Sequence, residues 1–276
     1  GQQQCQDGEV AVACGNVQGC QTTVVGQSKV GVGGVEQGVD GVGVAHLSGE
    51  KDGRVAVVGA SIDEREDGGV LQKLVESGGV VGFGGGSSID LGKAVALMAN
   101  HEGSVVDYSV NEGGLMKITE TVPMIAIPTT SGTGSEVSAG SVIVMRDGRK
   151  LILASSHLVP IAAIFDPDLT VGLPPVLTAG AGMDALTHCV EAVLSPAIDP
   201  PAEAVGLDGI ERVIRGNNLI KAVEDGSNKE ARWNMMMAST EGALAFSKGL
   251  GAVHSMSHAL GADKHLKLHH GTLNGV

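Results

Sequence analysis

The chain holds 276 residues, 31 of them acidic and 18 basic, for a formal net charge of −13. That balance excludes nucleic acid and anionic membrane as main partners, because both reward clustered Lys and Arg. The longest apolar runs, 122–127 and 161–165, are far too short to span a bilayer.

No basic-then-apolar leader opens the chain, and the four cysteines form no CxxC pair. A soluble, cytoplasmic protein with reduced thiols is therefore expected, and a zinc site built from Cys5, Cys14 and Cys20 is the disfavoured alternative. Residues 26–44, GQSKVGVGGVEQGVDGVGV, form a Gly/Val tract that lacks the GxGxxG spacing of a dinucleotide fingerprint, and no role is assigned to it. From residue 54 a regular alternation begins. RVAVVGAS (54–61) reads as a buried strand, and DEREDGGVLQKLVESG (63–78) as a helix closed by glycines 78 and 79. VVGFGGGSSIDLGKAVALMAN (80–100) runs strand, glycine turn, helix, with the helix expected from residue 88. VPMIAIPTTSGTGSEVS (122–138) is a strand followed by a loop of small residues, and short strands follow at 141–145, 150–154 and 161–165. Strands alternating with helices predict a mostly parallel sheet.

After DPDLTVGLPP (166–175) helical periodicity takes over, predicting helices at 176–195, 201–224, 228–249 and 251–262. Pro174 and Pro175 mark the expected boundary, giving an α/β unit over 1–173 and an all-helical unit over 174–276 that stops early, at HHGTLNGV.

Three constellations carry chemistry. GFGGGSSID (82–90) lies between a strand and a helix, where bare glycine backbone and a helix N-terminus suit a phosphate, with Ser87 and Ser88 available as helix caps. PTTSGTGSE (128–136), mostly Thr, Ser and Gly, follows a mid-sheet strand and suits a ligand in the crevice beyond the sheet. Taken together, the two loops point to a cofactor containing phosphate. The third constellation is the histidines, five of which fall between 254 and 270. GMDALTHCVEA (182–192) stacks Asp184 over His188 on one helix face, and VHSMSHALG stacks His254 over His258 in the same way. One carboxylate and several imidazoles on neighbouring helices are a donor set for Zn²⁺ or Fe²⁺. Cys189 points about 100° away from His188 and is not a ligand. The chain contains neither a GxSxG elbow nor a GK[ST] phosphate loop, which disfavours covalent hydrolysis and ATP-driven chemistry.

GGGSSIDLGKA (84–94), PTTSGTGSE (128–136), DPDLT (166–170), GMDALTHCVEA (182–192), GAVHSMSHALGA (251–262) and HHGTLN (269–274) together resemble the iron-containing (group III) alcohol dehydrogenase family. The resemblance implies an α/β dinucleotide-binding domain with a mostly parallel sheet, followed by an all-α metal-binding domain. It implies hydride transfer between a small alcohol, aldehyde or ketone and NAD or NADP, with one divalent metal, Fe²⁺ or Zn²⁺. In that reading Gly85, Gly86 and Ser87 cradle the pyrophosphate and Asp90 orients their turn. Thr129, Thr130 and Thr133 contact the phosphate and nicotinamide side, and Lys150 lies near the nicotinamide ribose. Asp184, His188, His254 and His270 match the four metal ligands, with His269 as a rival to His270 because this chain has HHG where many members have PHG. His258 matches a histidine beside the substrate and is the candidate proton relay. A homodimer is also expected. The competing readings are an NAD-using metal-dependent lyase of the dehydroquinate-synthase type, an inactive metal- or nucleotide-binding relative, and a metallohydrolase.

Overall fold

The computed structural model describes residues 30–37, 43–49 and 54–59 as backbone strands, and residues 79–145, 149–261 and 270–275 more fully. The helix expected over 63–78, Cys5, Cys14, Cys20, His265 and His269 lie outside the described residues.

Eight strands form two sheets among the described residues: β1 (Val30–Gln37), β2 (Gly43–Gly49), β3 (Arg54–Gly59), β4 (Gly79–Gly84), β5 (Met124–Pro128), β6 (Gly140–Val144), β7 (Lys150–Ala154) and β8 (Ala162–Ala163). The main sheet runs β1-β2-β3-β4-β5-β8. Its first two pairings are antiparallel, and β3-β4, β4-β5 and β5-β8 are parallel. Two findings differ from the sequence reading. The Gly/Val tract supplies β1 and the start of β2, its valines having the β-branched shape a strand favours. Strands β6 and β7 leave the main sheet and pair with each other as an antiparallel hairpin.

Strands β4 and β5 both lie inside the sheet, and their apolar runs suit burial on both faces. Val80, Met124 and Ala126 pack against Ile89, Val95 and Ala96 of helix α1 (Gly86–Met98). The helix comes this close because Gly82 and Gly92 face each other. A Cβ on Gly92 would lie 3.3 Å from the Gly82 Cα. Helix α1 starts two residues before the sequence suggests, with Gly85 at its N-cap and no side chain capping it, so the expected serine cap is not formed.

The most buried charge is Lys93 on α1, with 0% exposure. Its ammonium donates to the carbonyls of Ser138 and Gly140, both at 2.7 Å, and to Ser138 Oγ at 3.1 Å. Two carboxylates share its surroundings, Glu136 buried and Asp90 half-buried. Asp90 accepts from the Ser135 hydroxyl and, at 2.9 Å, from Val142 N–H, while Glu136 accepts from the Thr240 hydroxyl at 3.1 Å. Burial pulls the Lys93 ammonium down to about 8, held back by the charges of Asp90 and Glu136. Burial likewise lifts both carboxyls above the ordinary range, against the pull of Lys93.

The remaining helices are α2 (Pro175–Leu194), α3 (Pro200–Ile214), α4 (Asn218–Glu224), α5 (Lys229–Ala245), α6 (Ala252–Gly261) and α7 (His270–Asn274). Each of α2 and α3 has proline in its first turn, where the missing N–H costs no helical bond. The single helix expected over 201–224 is broken, because Gly216 and Asn217 both take positive φ and start α4 in a new direction. Glycines bring α3 and α5 onto α2: a Cβ on Gly209 would lie 2.6 Å from Cys189 Sγ, and one on Gly242 would lie 2.9 Å from His188 Cβ. Cys189 is a free, buried thiol in that contact, pushed up to about 12 by burial, with the Glu241 charge adding to it. The passage from strands to helices falls at Pro174–Pro175, which supports a proposed division at that point. Among the described residues, no helix is long and apolar enough to cross a membrane.

Replacing Lys93 with Met would strand these two carboxylates, at a cost of about 3–5 kcal/mol at pH 8. Both carboxyls are raised above their unfolded values, so the folded state takes up protons at a higher pH than the unfolded chain, and the loss shrinks as pH falls. Chemical unfolding at pH 8 and pH 5 tests this expectation, and an equal loss at both would contradict it.

Candidate metal centre

Helix α2 places Asp184 and His188 one turn apart on its buried face, at 3% and 6% exposure. Its other faces do structural work: Leu186 packs on the cluster of Val213, Ala222 and Met235. Helix α6 brings His254, 2% exposed, across from α2, and α7 adds the half-buried His270.

The three histidines turn the same nitrogen inward. Their Nε2 atoms lie 3.9 Å (His188), 3.4 Å (His254) and 3.5 Å (His270) from one oxygen, Asp184 Oδ1. Each Nδ1 faces outward to a different partner. His188 Nδ1 meets the Gly132 carbonyl at 3.2 Å, His254 Nδ1 meets Glu191 Oε2 at 2.7 Å, and His270 Nδ1 meets Ser257 Oγ at 3.5 Å. An outward N–H on Nδ1 leaves the Nε2 lone pair free, which is the form a metal ligand needs. The rings of His188 and His254 stack at 4.3 Å, and donor atoms of Asp184, His188 and His254 fall within 4.8 Å of one another.

Burial holds His188 down at about 4, so its imidazole is neutral at physiological pH, and burial also lowers His270. Burial opposes ionisation of Asp184, but hydrogen bonding from His254 outweighs it and holds the carboxyl below its ordinary range, while Asp184 and Glu191 in turn raise His254 against burial. A cation bound at the centre would take the place of that shared proton.

Asn274 tests whether these residues suit a cation. Its Nδ2 donates to Asp184 Oδ1 at 2.6 Å and lies 3.2 Å from His254 Nε2 and 3.3 Å from His270 Nε2. Its own Oδ1 is buried with no partner among the described residues. One carboxylate and two imidazole lone pairs thus converge on a single electropositive group, at the cost of an orphaned carbonyl. The donor set fits a divalent ion such as Zn²⁺ or Fe²⁺.

The two phosphate-loop candidates lie at the carboxyl ends of the adjacent parallel strands β4 and β5. They pack face to face. A Cβ on Gly85 would lie 3.3 Å from Thr130, and one on Gly86 would lie 2.5 Å from Thr133. Thr129 N–H donates to the Gly84 carbonyl at 2.9 Å, closing the gap between the strands. Ser87 is exposed at the start of α1. The Asp90 carboxylate turns toward Ser135 and Val142, so it braces α1 against the threonine loop and the hairpin. Lys150, at the start of β7, is near enough for its charge to bear on both His258 and His270. His258 is exposed one turn along from His254, its ring centre 6.0 Å from that of His254 and 5.0 Å from that of His270.

Glu191, Gly132, Ser257 and Asn274 were missed by the sequence reading. Glu191 had a signal: it falls three residues after His188 and seven after Asp184, on the same helix face. The Gly132 carbonyl had none, because a backbone acceptor leaves no trace in residue type.

Comparison with known proteins matches the profile of "Iron-containing alcohol dehydrogenase" over residues 66–167 and that of "Fe-containing alcohol dehydrogenase family, C-terminal" over 178–276. A 4-hydroxybutyrate dehydrogenase of Cupriavidus necator is 54% identical over 202 residues, covering 72% of this chain and 52% of that protein. A long-chain-alcohol dehydrogenase of Geobacillus thermodenitrificans is 42% identical, covering 71% of this chain and 49% of that protein. Among solved structures, a sulfoacetaldehyde reductase from Bifidobacterium kashiwanohense in complex with NAD⁺ superposes with a TM-score of 0.68 at 33% identity, covering 74% of this chain and 55% of that one. A 1,3-propanediol oxidoreductase superposes at 0.67 with 37% identity, covering 74% and 52%. The chain spans about half the length of the relatives it matches.

Asp184→Ala should abolish stoichiometric uptake of Zn²⁺ or Co²⁺, measured by elemental analysis after dialysis. Undiminished metal in that variant would remove Asp184 from the ligand set.

Proposed function

The chain belongs to the iron-containing alcohol dehydrogenase family, and on that footing we propose that it oxidises a small alcohol, or reduces the matching aldehyde or ketone, with a nicotinamide cofactor. The observation that carries the reading is the convergence of three histidine Nε2 atoms on Asp184 Oδ1, in a fold with two glycine- and threonine-rich loops at adjacent strand ends. We assign Asp184, His188, His254 and His270 as the residues that would hold a divalent ion. Bound there, it would act as a Lewis acid toward the alcohol oxygen. The family points to Fe²⁺, and the donors suit Zn²⁺ equally.

The remaining roles follow from position. Gly85, Gly86 and Ser87, at the N-terminus of α1, receive the pyrophosphate, because open N–H groups and the helix dipole both favour an anion there. Thr129, Thr130 and Thr133 offer hydroxyls and amides to the rest of the cofactor, and Lys150 supplies a cation on the hairpin side. NAD⁺ is the proposed carrier, in keeping with the NAD⁺ complex of the sulfoacetaldehyde reductase. A nicotinamide held there would supply the hydride acceptor as the carbinol becomes a carbonyl, and the hydroxyl proton would pass to solvent. His258, exposed and beside both His254 and His270, is assigned as the proton relay. The Cupriavidus relative makes a four-carbon hydroxy acid the first substrate to test, with 1,3-propanediol and longer primary alcohols after it.

The test is NADH formation from these alcohols by protein loaded anaerobically with Fe²⁺ or Zn²⁺. Metal and NAD⁺ binding without turnover of any alcohol would favour an inactive relative. His258→Phe should lower turnover by about 100-fold or more with metal content unchanged. Unchanged turnover would exclude the relay.

A further inference from the structure

Glu191 belongs to neither motif-derived set, yet its carboxylate makes three short contacts beside the metal centre. Oε2 faces His254 Nδ1 at 2.7 Å and accepts from Gly251 N–H at 2.8 Å, while Oε1 accepts from Val253 N–H at 2.6 Å. Glu191 is 7% exposed, so these are charge-assisted contacts in a nearly dry setting. Gly251 and Val253 flank the first residue of α6, so the carboxylate sits at that helix's N-terminus. The fit is close: a Cβ on Gly251 would lie 2.7 Å from Glu191 Oε1. One side chain on α2 therefore fixes both where α6 begins and which way a histidine on α6 points.

The contacts of the other two histidines are weaker. His188 has a neutral carbonyl at 3.2 Å and His270 a hydroxyl at 3.5 Å, whereas His254 has a carboxylate. We propose that Glu191 is the positioning residue of the metal centre, holding His254 in its Nδ1–H tautomer with Nε2 turned to the ion and thereby setting how tightly the ion is held. Because Glu191, His188 and Asp184 share one face of α2, that helix supplies two candidate ligands and the orienting group of a third. This inference rests on the metal-site reading above.

Glu191→Gln keeps an oxygen for the helix N-terminus and removes the charge. The expected result is a melting temperature close to that of the parent protein, with Co²⁺ affinity, measured by chelator competition, lowered about 10- to 100-fold and a shifted visible Co²⁺ spectrum. Parental Co²⁺ affinity and spectrum in Glu191→Gln would overturn the assignment. A parent protein that takes up no Co²⁺ would instead overturn the metal-site reading itself. Long-range ¹H–¹⁵N NMR of the Zn²⁺-loaded parent protein tests the same point without a variant. It should find His254 protonated at Nδ1, and an Nε2–H tautomer would overturn the proposal even if the variant failed to fold.

Discussion

A carboxylate and three imidazole nitrogens cannot face one another at close range without something positive at the centre. Asp184 and the Nε2 atoms of His188, His254 and His270 make such an arrangement, and most of the surrounding structure serves to maintain it. Left uncompensated, a carboxylate and three imidazole lone pairs in a low dielectric would repel one another or take up protons. The Asn274 amide is drawn into the centre, and its own carbonyl has no partner among the described residues. That arrangement supports the proposed cation site.

The outward contacts connect this centre to the rest of the fold. His188 leans on the Gly132 carbonyl, which lies within the same loop whose Thr130 and Thr133 pack against the glycines of the first phosphate turn. Gly132 has no room for a side chain, since a Cβ would lie 2.9 Å from the Ala181 carbonyl on α2. The loop assigned to the cofactor and the helix assigned to the metal are therefore in backbone contact. Lys93, Asp90, Glu136 and Thr240 tie α1, the loop, the hairpin and α5 together through polar bonds around the buried Lys93 ammonium. A network of this kind is costly to leave half satisfied, so it fixes one relative placement of the two loops and the helices.

Legibility in the sequence followed physical range. The i,i+4 pairs Asp184/His188 and His254/His258 could be read because helix periodicity alone places them, and the strand-turn-helix pattern at 80–100 could be read because glycine marks the turn. His258 illustrates the limit. Its spacing matches that of Asp184/His188, yet only the fold shows it exposed beside the centre while His254 is buried within it. The departure of β6 and β7 from the main sheet depends on long-range pairing that no local pattern encodes, and the break at Gly216–Asn217 depends on two positive φ angles in a run that otherwise reads as helix. The family resemblance implies that Asp90 orients the phosphate turn, and the contacts of its carboxylate, to Ser135 and Val142 about fifty residues further along the chain, are visible only in the fold.

The central claim is that this chain builds one metal site from Asp184, His188, His254 and His270. X-ray absorption at the zinc edge, on protein loaded with one equivalent of Zn²⁺, addresses it directly. The account predicts a shell of nitrogen and oxygen at about 2.0–2.2 Å with the outer scattering of three imidazoles. A sulfur shell at about 2.3 Å, or scattering from fewer than three imidazoles, would contradict it.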